Sequence, residues 1–176
     1  MVPPMPEAEF WKLIDDARPK LLYSQDKHLA ALRKSLARLT PESIVAFNER
    51  RGELLARSYD WKLWAAAYVI GGGCGDDGFD YFRSWIISQG RAFFERTVED
   101  PDSLAQDKRV GIWLDDLPEF ELFDYAAHEA YEAVTGTEMP PGTIHHREEP
   151  TGEQWDEEDD ESLRRLVPRL MALRGA

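Results

Sequence analysis

Apolar residues recur along this chain at three- and four-residue spacing, and no useful length alternates apolar with polar positions. The pattern predicts helices and no sheet. Phe10, Trp11, Leu13 and Ile14 mark a first helix over about residues 7–17, with Pro19 as the stop. Ser24 opens a second that runs to about Arg38, with Leu29, Leu32, Leu36 and Leu39 on one stripe. Thr40 and Pro41 start a third. Threonine offers a capping oxygen, and proline suits the first helical position, where its missing N–H leaves nothing unpaired. Ile44, Phe47, Leu54 and Leu55 form its inner side, and Glu49, Arg50 and Arg51 are expected to face out.

Asp60 is placed to cap a fourth helix, "DWKLWAAAYVIGGG". Apart from Lys62 it is apolar all round, which predicts a central position. Gly71, Gly72 and Gly73 end it. Asp76 or Asp77 then offers a carboxylate to the free N–H groups of a fifth helix, which carries Phe79, Phe82, Trp85, Ile86 and Gln89 and closes at Gly90. "RAFFERTV" gives a short helix, and Asp100 with Pro101 starts another. After a turn, a long amphipathic helix is predicted over about residues 118–134, burying Phe120, Phe123, Ala127, Tyr131 and Val134 and ending at Gly136. Residues 137–156 read as a loop rich in proline, glycine and charge. Leu163, Leu166, Val167, Leu170 and Leu173 mark a final helix that Pro168 kinks or restarts, and its stripe is expected to dock on the body. The expected fold is all-α, a compact single-domain multi-helix bundle with a central apolar helix. Residues 1–136 form the helical core, and residues 137–176 form an acidic proline-containing loop plus a C-terminal docking helix.

Three stretches carry a resemblance. "FWKLI", "YDWKLWAAAYVIGGGCGDDGFDYFRSWIISQGR" and "DPDSLA" resemble a bacterial domain-of-unknown-function family, the one numbered forty-two forty. The likeness spans about residues 7–135, and "FELFDYAAHEAYEAVTG" resembles the family's last core helix. It implies an all-helical, intracellular protein. It implies no activity and no catalytic residue.

Charge narrows the partners. The formal net charge is −13, and 34 acids face 21 bases. Nine of the acids lie in residues 148–161, yet the chain before them is acidic as well. A surface of this sign disfavours nucleic acid and suits a basic protein partner. The longest apolar run, "LWAAAYVI", is too short to span a bilayer. The single cysteine forms no intrachain disulfide and points to a reducing, cytoplasmic setting. The start, "MVPPMPEAEFW", has neither the basic nor the apolar region of a signal peptide.

Candidate chemistry gathers at "GGGCGDDG". Asp76 and Asp77, with Asp115 and Asp116, could offer oxygens to a hard cation, although the spacing of a calcium loop is absent. The plainer reading is helix capping plus an ion pair from Arg83 to Asp76, Asp77 or Asp80. Cys74 sits near a helix start, which favours a thiolate, while the adjacent aspartates oppose it. The ligand-site candidates are therefore Cys74, Asp76, Asp77, Arg83, Asp115 and Asp116. His128 shares a stripe with Glu121, Asp124 and Glu132, but the Glu-x-x-His spacing of a di-metal helix is missing. His145 and His146 fall in the expected loop. No nucleophile–base pair, metal motif or cofactor fingerprint is present. The expected function is a binding or regulatory module that recognises a protein partner or small ligand, with a metal-assisted hydrolase using the four aspartates as the alternative.

Overall fold

A computed structural model describes residues 2–20, 23–143 and 148–175, and it is helical throughout. The elements are α1 (Glu7–Ala17), α2 (Gln25–Leu36), α3 (Pro41–Arg57), α4 (Trp61–Gly71), α5 (Asp76–Ser88) and α6 (Arg91–Glu99). A 3-10 turn (Pro101–Gln106), α7 (Val110–Trp113), a second 3-10 turn (Glu121–Tyr125), α8 (Ala126–Thr135), α9 (Asp160–Leu166) and α10 (Pro168–Arg174) follow. Among the described residues the one extended pairing is a single bridge between Asp60 and Thr151. No described helix is long and apolar enough to cross a membrane.

The helix starts follow local chemistry. Ser24 Oγ accepts from the Lys27 N–H, Thr40 Oγ1 from Ser43, and Asp60 Oδ1 from Lys62 and Leu63. Each side chain satisfies an N–H that the helix itself leaves free. Gly72 ends α4 at φ 69°, in left-handed backbone that disfavours other residues. A Cβ there would also strike the Arg174 guanidinium and the Asp115 carboxylate.

Several expectations are corrected. Asp76 and Asp77 do not cap α5: Gly75 holds the cap position and no side-chain cap bond forms. The two aspartates occupy the first turn instead, where their charge still complements the helix dipole. The long helix over residues 118–134 is divided, because the chain takes a 3-10 turn to Tyr125 before α8 begins. Val134 and Leu173 are exposed rather than buried. Glu49 and Arg51 do not face out: Glu49 is 4% exposed, and Arg51 is held in a half-buried ion pair.

Helix α4 lies at the centre of the contacts that define the fold. Leu63, Ala65, Ala66, Ala67, Val69 and Ile70 are buried, and the alanines let α5, α7 and the first 3-10 turn approach closely. Its outer aromatic face, Trp61 and Tyr68, is covered by Trp155 from the acidic segment. Trp155 also donates its Nε1–H to the Trp61 carbonyl at 2.9 Å. Helices α1, α2, α3 and α8 pack as a second group around Phe10, Ile14, Leu32, Leu36 and Phe47. His28 is fully buried there beside Phe120 and Phe123; burial lowers its pKa to about 4, so the ring is neutral at pH 7.

The C-terminal helices dock on α4 and the first 3-10 turn. Leu163, Val167 and Leu170 are buried, while residues 157–161 are exposed. One carboxylate fixes the joint. Asp102, 2% exposed, accepts from the Leu170 N–H at 2.9 Å, from the Arg169 N–H at 3.0 Å and from Arg169 Nε at 2.9 Å. It caps α10 from a distant part of the chain. We expect Asp102→Ala to cost about 2–4 kcal/mol, the sum of a lost cap and lost charge-assisted bonds. Denaturant unfolding monitored by tryptophan fluorescence checks this; a loss under about 0.5 kcal/mol, the scale of a neutral surface change, would contradict it.

Candidate functional site

Two helices supply the walls of an open cleft of about 510 Å³. From α3 come Asn48, Arg51, Gly52 and Leu55, and from α5 come Asp76, Phe79, Asp80 and Arg83. Both sets follow the three- and four-residue spacing of one helix face. Tyr59 and Trp64 close one end, Asp124 and His128 line it from the second 3-10 turn and α8, and Gly142 and Thr143 form a lip. The volume is that of a small-molecule site or a pocket for a partner's side chain.

The aromatic wall is continuous. Trp64 stacks on Phe79 with ring centroids 4.8 Å apart and on Trp61 at 5.4 Å, both at an interplanar angle of 11°. Its Nε1–H donates to the Cys74 carbonyl at 2.9 Å. The glycine-rich turn between α4 and α5 is thereby tied to the cleft wall. Arg83 lies over the rings of Tyr59 and Phe79, 4.8 and 5.0 Å from their centroids.

The buried charges are paired inside the protein. Arg83, 7% exposed, donates to the Leu55 carbonyl at 2.6 Å and forms an ion pair with Asp80. Arg51 pairs with Asp124 at 2.6 Å, and Ser84 Oγ donates to the same carboxylate oxygen at 2.5 Å. Burial pushes the Asp124 carboxyl up against the opposing pull of Arg51 and Ser84. Burial and the Arg51 charge push His128 down, so it is neutral at pH 7. Glu49 accepts from the Thr143 N–H at 2.7 Å and so holds the lip. On the rim, Asp76 is exposed and its side chain makes no cap hydrogen bond.

The sequence candidates divide between two places. Asp76 and Arg83 line the cleft. Cys74, Asp115 and Asp116 line a separate, shallow hollow of about 330 Å³ with Leu117, Glu119 and glycines of the turn. Asp77 is exposed and lines neither. Asp115 has a left-handed backbone, φ 69°, and pairs with Arg174. Arg83 pairs with Asp80, one of the three partners its spacing allowed. Among the described residues no three His, Cys, Asp or Glu side chains converge as metal ligands. His145 and His146 lie outside the described residues. The stripe of Glu121, Asp124, His128 and Glu132 does not persist as one solvated face, because the 3-10 turn aims Asp124 at Arg51.

Sequence reasoning missed Asn48, Glu49, Arg51 and Asp124 as lining residues. One signal was available: Gly52 sits in the middle of α3, where a glycine weakens the helix, and it lines the cleft. The fold and its cleft define an all-helical protein with an open polar–aromatic cleft between two helices. A family described as "Protein of unknown function (DUF4240)" matches residues 5–133, and the chain belongs to that family. No curated protein and no solved structure matches it.

Cys74 is a poor nucleophile at neutral pH. Burial, with the charges of Glu119, Asp76 and Asp80, pushes its thiol up to about 12. We expect iodoacetamide to modify it at pH 8 at least about a hundredfold more slowly than free cysteine, with the rate still climbing above pH 10. Intact-mass kinetics report this. A rate near that of free thiol, levelling off below pH 9, would contradict it.

Proposed function

We propose that this protein is a binding module whose α3–α5 cleft receives a cation-bearing group, the lysine or arginine side chain of a basic protein partner. One observation carries the reading: Tyr59, Trp64 and Phe79 line the same cleft as the exposed Asp76 carboxylate, and both lining arginines are already committed internally, Arg51 to Asp124 and Arg83 to Asp80. Aromatic faces and carboxylates together suit an organic cation, which gains from both the ring quadrupole and the opposite charge. The floor is pre-organised, because each buried charge has its partner before any ligand arrives. The net charge of −13 supports the same choice, since it draws a basic partner toward the rim and repels a phosphate backbone. The single cysteine supports a reducing, cytoplasmic setting.

The reading extends to the chain's two-part organisation. The family match ends at residue 133, which supports residues 137–176 as an arm added to a helical core, its acidic run turned outward. The hydrolase alternative needs convergent carboxylates, and its four aspartates are spread over two hollows and open surface. No observation favours it over binding.

Asp76 separates the readings. It is exposed and its side chain caps nothing, so removing its charge costs only its small contribution to the α5 helix dipole. We expect Asp76→Asn to weaken the binding of a lysine- and arginine-rich peptide by about three- to tenfold, the worth of a rim charge. Asp77→Asn, one residue away and outside the cleft, is expected to bind as wild type. Calorimetric titration checks both, with melting temperatures as the folding control. Equal losses from the two substitutions would assign binding to the general acidic surface and sink the cleft proposal.

A further inference from the structure

A second concave site has the opposite charge. Beyond the cleft, Arg96 of α6, Ser103 and Gln106 of the first 3-10 turn, and Asp107, Lys108 and Arg109 line a hollow of about 460 Å³. Three cations against one carboxylate stand out on a protein of net charge −13.

The parts have different roles. Arg109 is a fixed wall. Its Nε and Nη2 donate to the two oxygens of Asp107, each at 3.0 Å, and its Nη1 donates to Gln89 Oε1 at 2.9 Å. Its guanidinium carbon also lies 4.9 Å from the Trp113 ring centroid and 5.5 Å from that of Phe93. Asp107 is thereby neutralised where it stands. Arg96 is held over Phe93 at 5.1 Å, and neither it nor Lys108 has an ion-pair partner among the described residues. The two are cations without an ion pair among the described residues on one concave face, although the Arg96 charge also acts on Asp107.

The independent observation is Ser103. It is 8% exposed and lines the hollow, while its Oγ is shut off from solvent and has no hydrogen-bond partner, so a turn about its Cα–Cβ bond is what would bring the hydroxyl to a ligand. Buried hydroxyls are nearly always paired, and one left alone inside a concave site asks for an acceptor. Its own N–H is spent on the Asp100 carbonyl, so the hydroxyl is the group left to offer.

We infer that this hollow binds a phosphomonoester, with Arg96 and Lys108 supplying charge and the Ser103 hydroxyl donating to one phosphoryl oxygen. A phosphomonoester carries close to two negative charges and three acceptor oxygens at pH 7, which matches two cations and one donor. A carboxylate has one charge and two oxygens, and so gains less from the two cations. The group can reach the site on a small metabolite or on a phosphorylated peptide. Both present the same chemistry.

The test is a titration of the full-length chain followed by backbone amide NMR at constant ionic strength. The probes are inorganic phosphate, glycerol phosphate, a phosphoserine peptide with its unphosphorylated twin, and acetate. We expect phosphate and glycerol phosphate to shift the amides of residues 103–109 saturably, and acetate to leave them unmoved. Tighter binding of the phosphopeptide than of glycerol phosphate would assign the group to a protein, and the reverse to a metabolite. Arg96→Gln combined with Lys108→Gln is expected to weaken phosphate at least about tenfold, or 1.4 kcal/mol. Ser103→Ala, a smaller change, is expected to weaken it less. Far-UV circular dichroism confirms that the variants fold. No saturable shift with any phosphate probe, an equal response to acetate, or wild-type affinity in the double variant would overturn the inference.

Discussion

The stacking of Trp64 between Trp61 and Phe79 is the contact on which the rest of the architecture turns. It joins Phe79, in the first turn of α5, to the start of α4, and its indole N–H fixes the Cys74 carbonyl in the connection between them. The glycine-rich turn therefore does not wander, although glycines cost the most conformational entropy to order. The same ring forms the end wall of the cleft. A residue that packs the core on one side and meets solvent on the other transmits the fold directly into the site. Arg83 extends this effect. Its guanidinium lies against Tyr59 and Phe79 while its charge is balanced by Asp80, so it packs on the aromatic wall without bringing an unpaired charge.

The C-terminal helices bear on the same turn from the far side. Arg174 donates to the Val69 carbonyl at 2.9 Å and pairs with Asp115, so it meets the negative end of α4 where carbonyls lack helical partners. Asp102 provides the complementary contact at the start of α10. An arm outside the family match is thus anchored at both ends of α10 to residues inside it. Trp155 completes the attachment by covering Trp61 and Tyr68. The acidic run of residues 157–161 is carried on this arm and stays in solvent.

Features set by local chemistry were legible in the sequence. Thr40 with Pro41, Asp60, Gly72 and Gly136 each satisfy or relieve backbone groups within a few residues of themselves, and each element boundary falls where they place it. The periodic stripes of α1, α2 and α5 were equally clear, since burial of one face writes its period into the chain. The cleft was only half legible. Asp76 and Arg83 were identified, but Arg51 and Asp124 are 73 residues apart and meet only because a 3-10 turn redirects the second. Nothing periodic marks such a pair. Charged residues on α3 read as an outer face by default, and the expectation failed at Glu49 and Arg51 because another part of the chain supplies their partners. Asp115 and Asp76 line different hollows, a separation that their nearness to the glycine-rich turn does not reveal in the sequence.

On the proposed reading, a cleft that is aromatic on one wall, acidic at its rim and internally paired on its floor holds a cation without rearrangement. The competing location is the outward acidic run, which would attract the same partner by charge alone. Intermolecular nuclear Overhauser contacts distinguish them most directly, using a lysine- and arginine-rich peptide bound to the isotope-labelled chain. The account predicts contacts from the side-chain methylenes next to the peptide's charge to the ring protons of Tyr59 and Trp64. Contacts confined to residues 157–161, with the Tyr59 and Trp64 rings untouched, would contradict it.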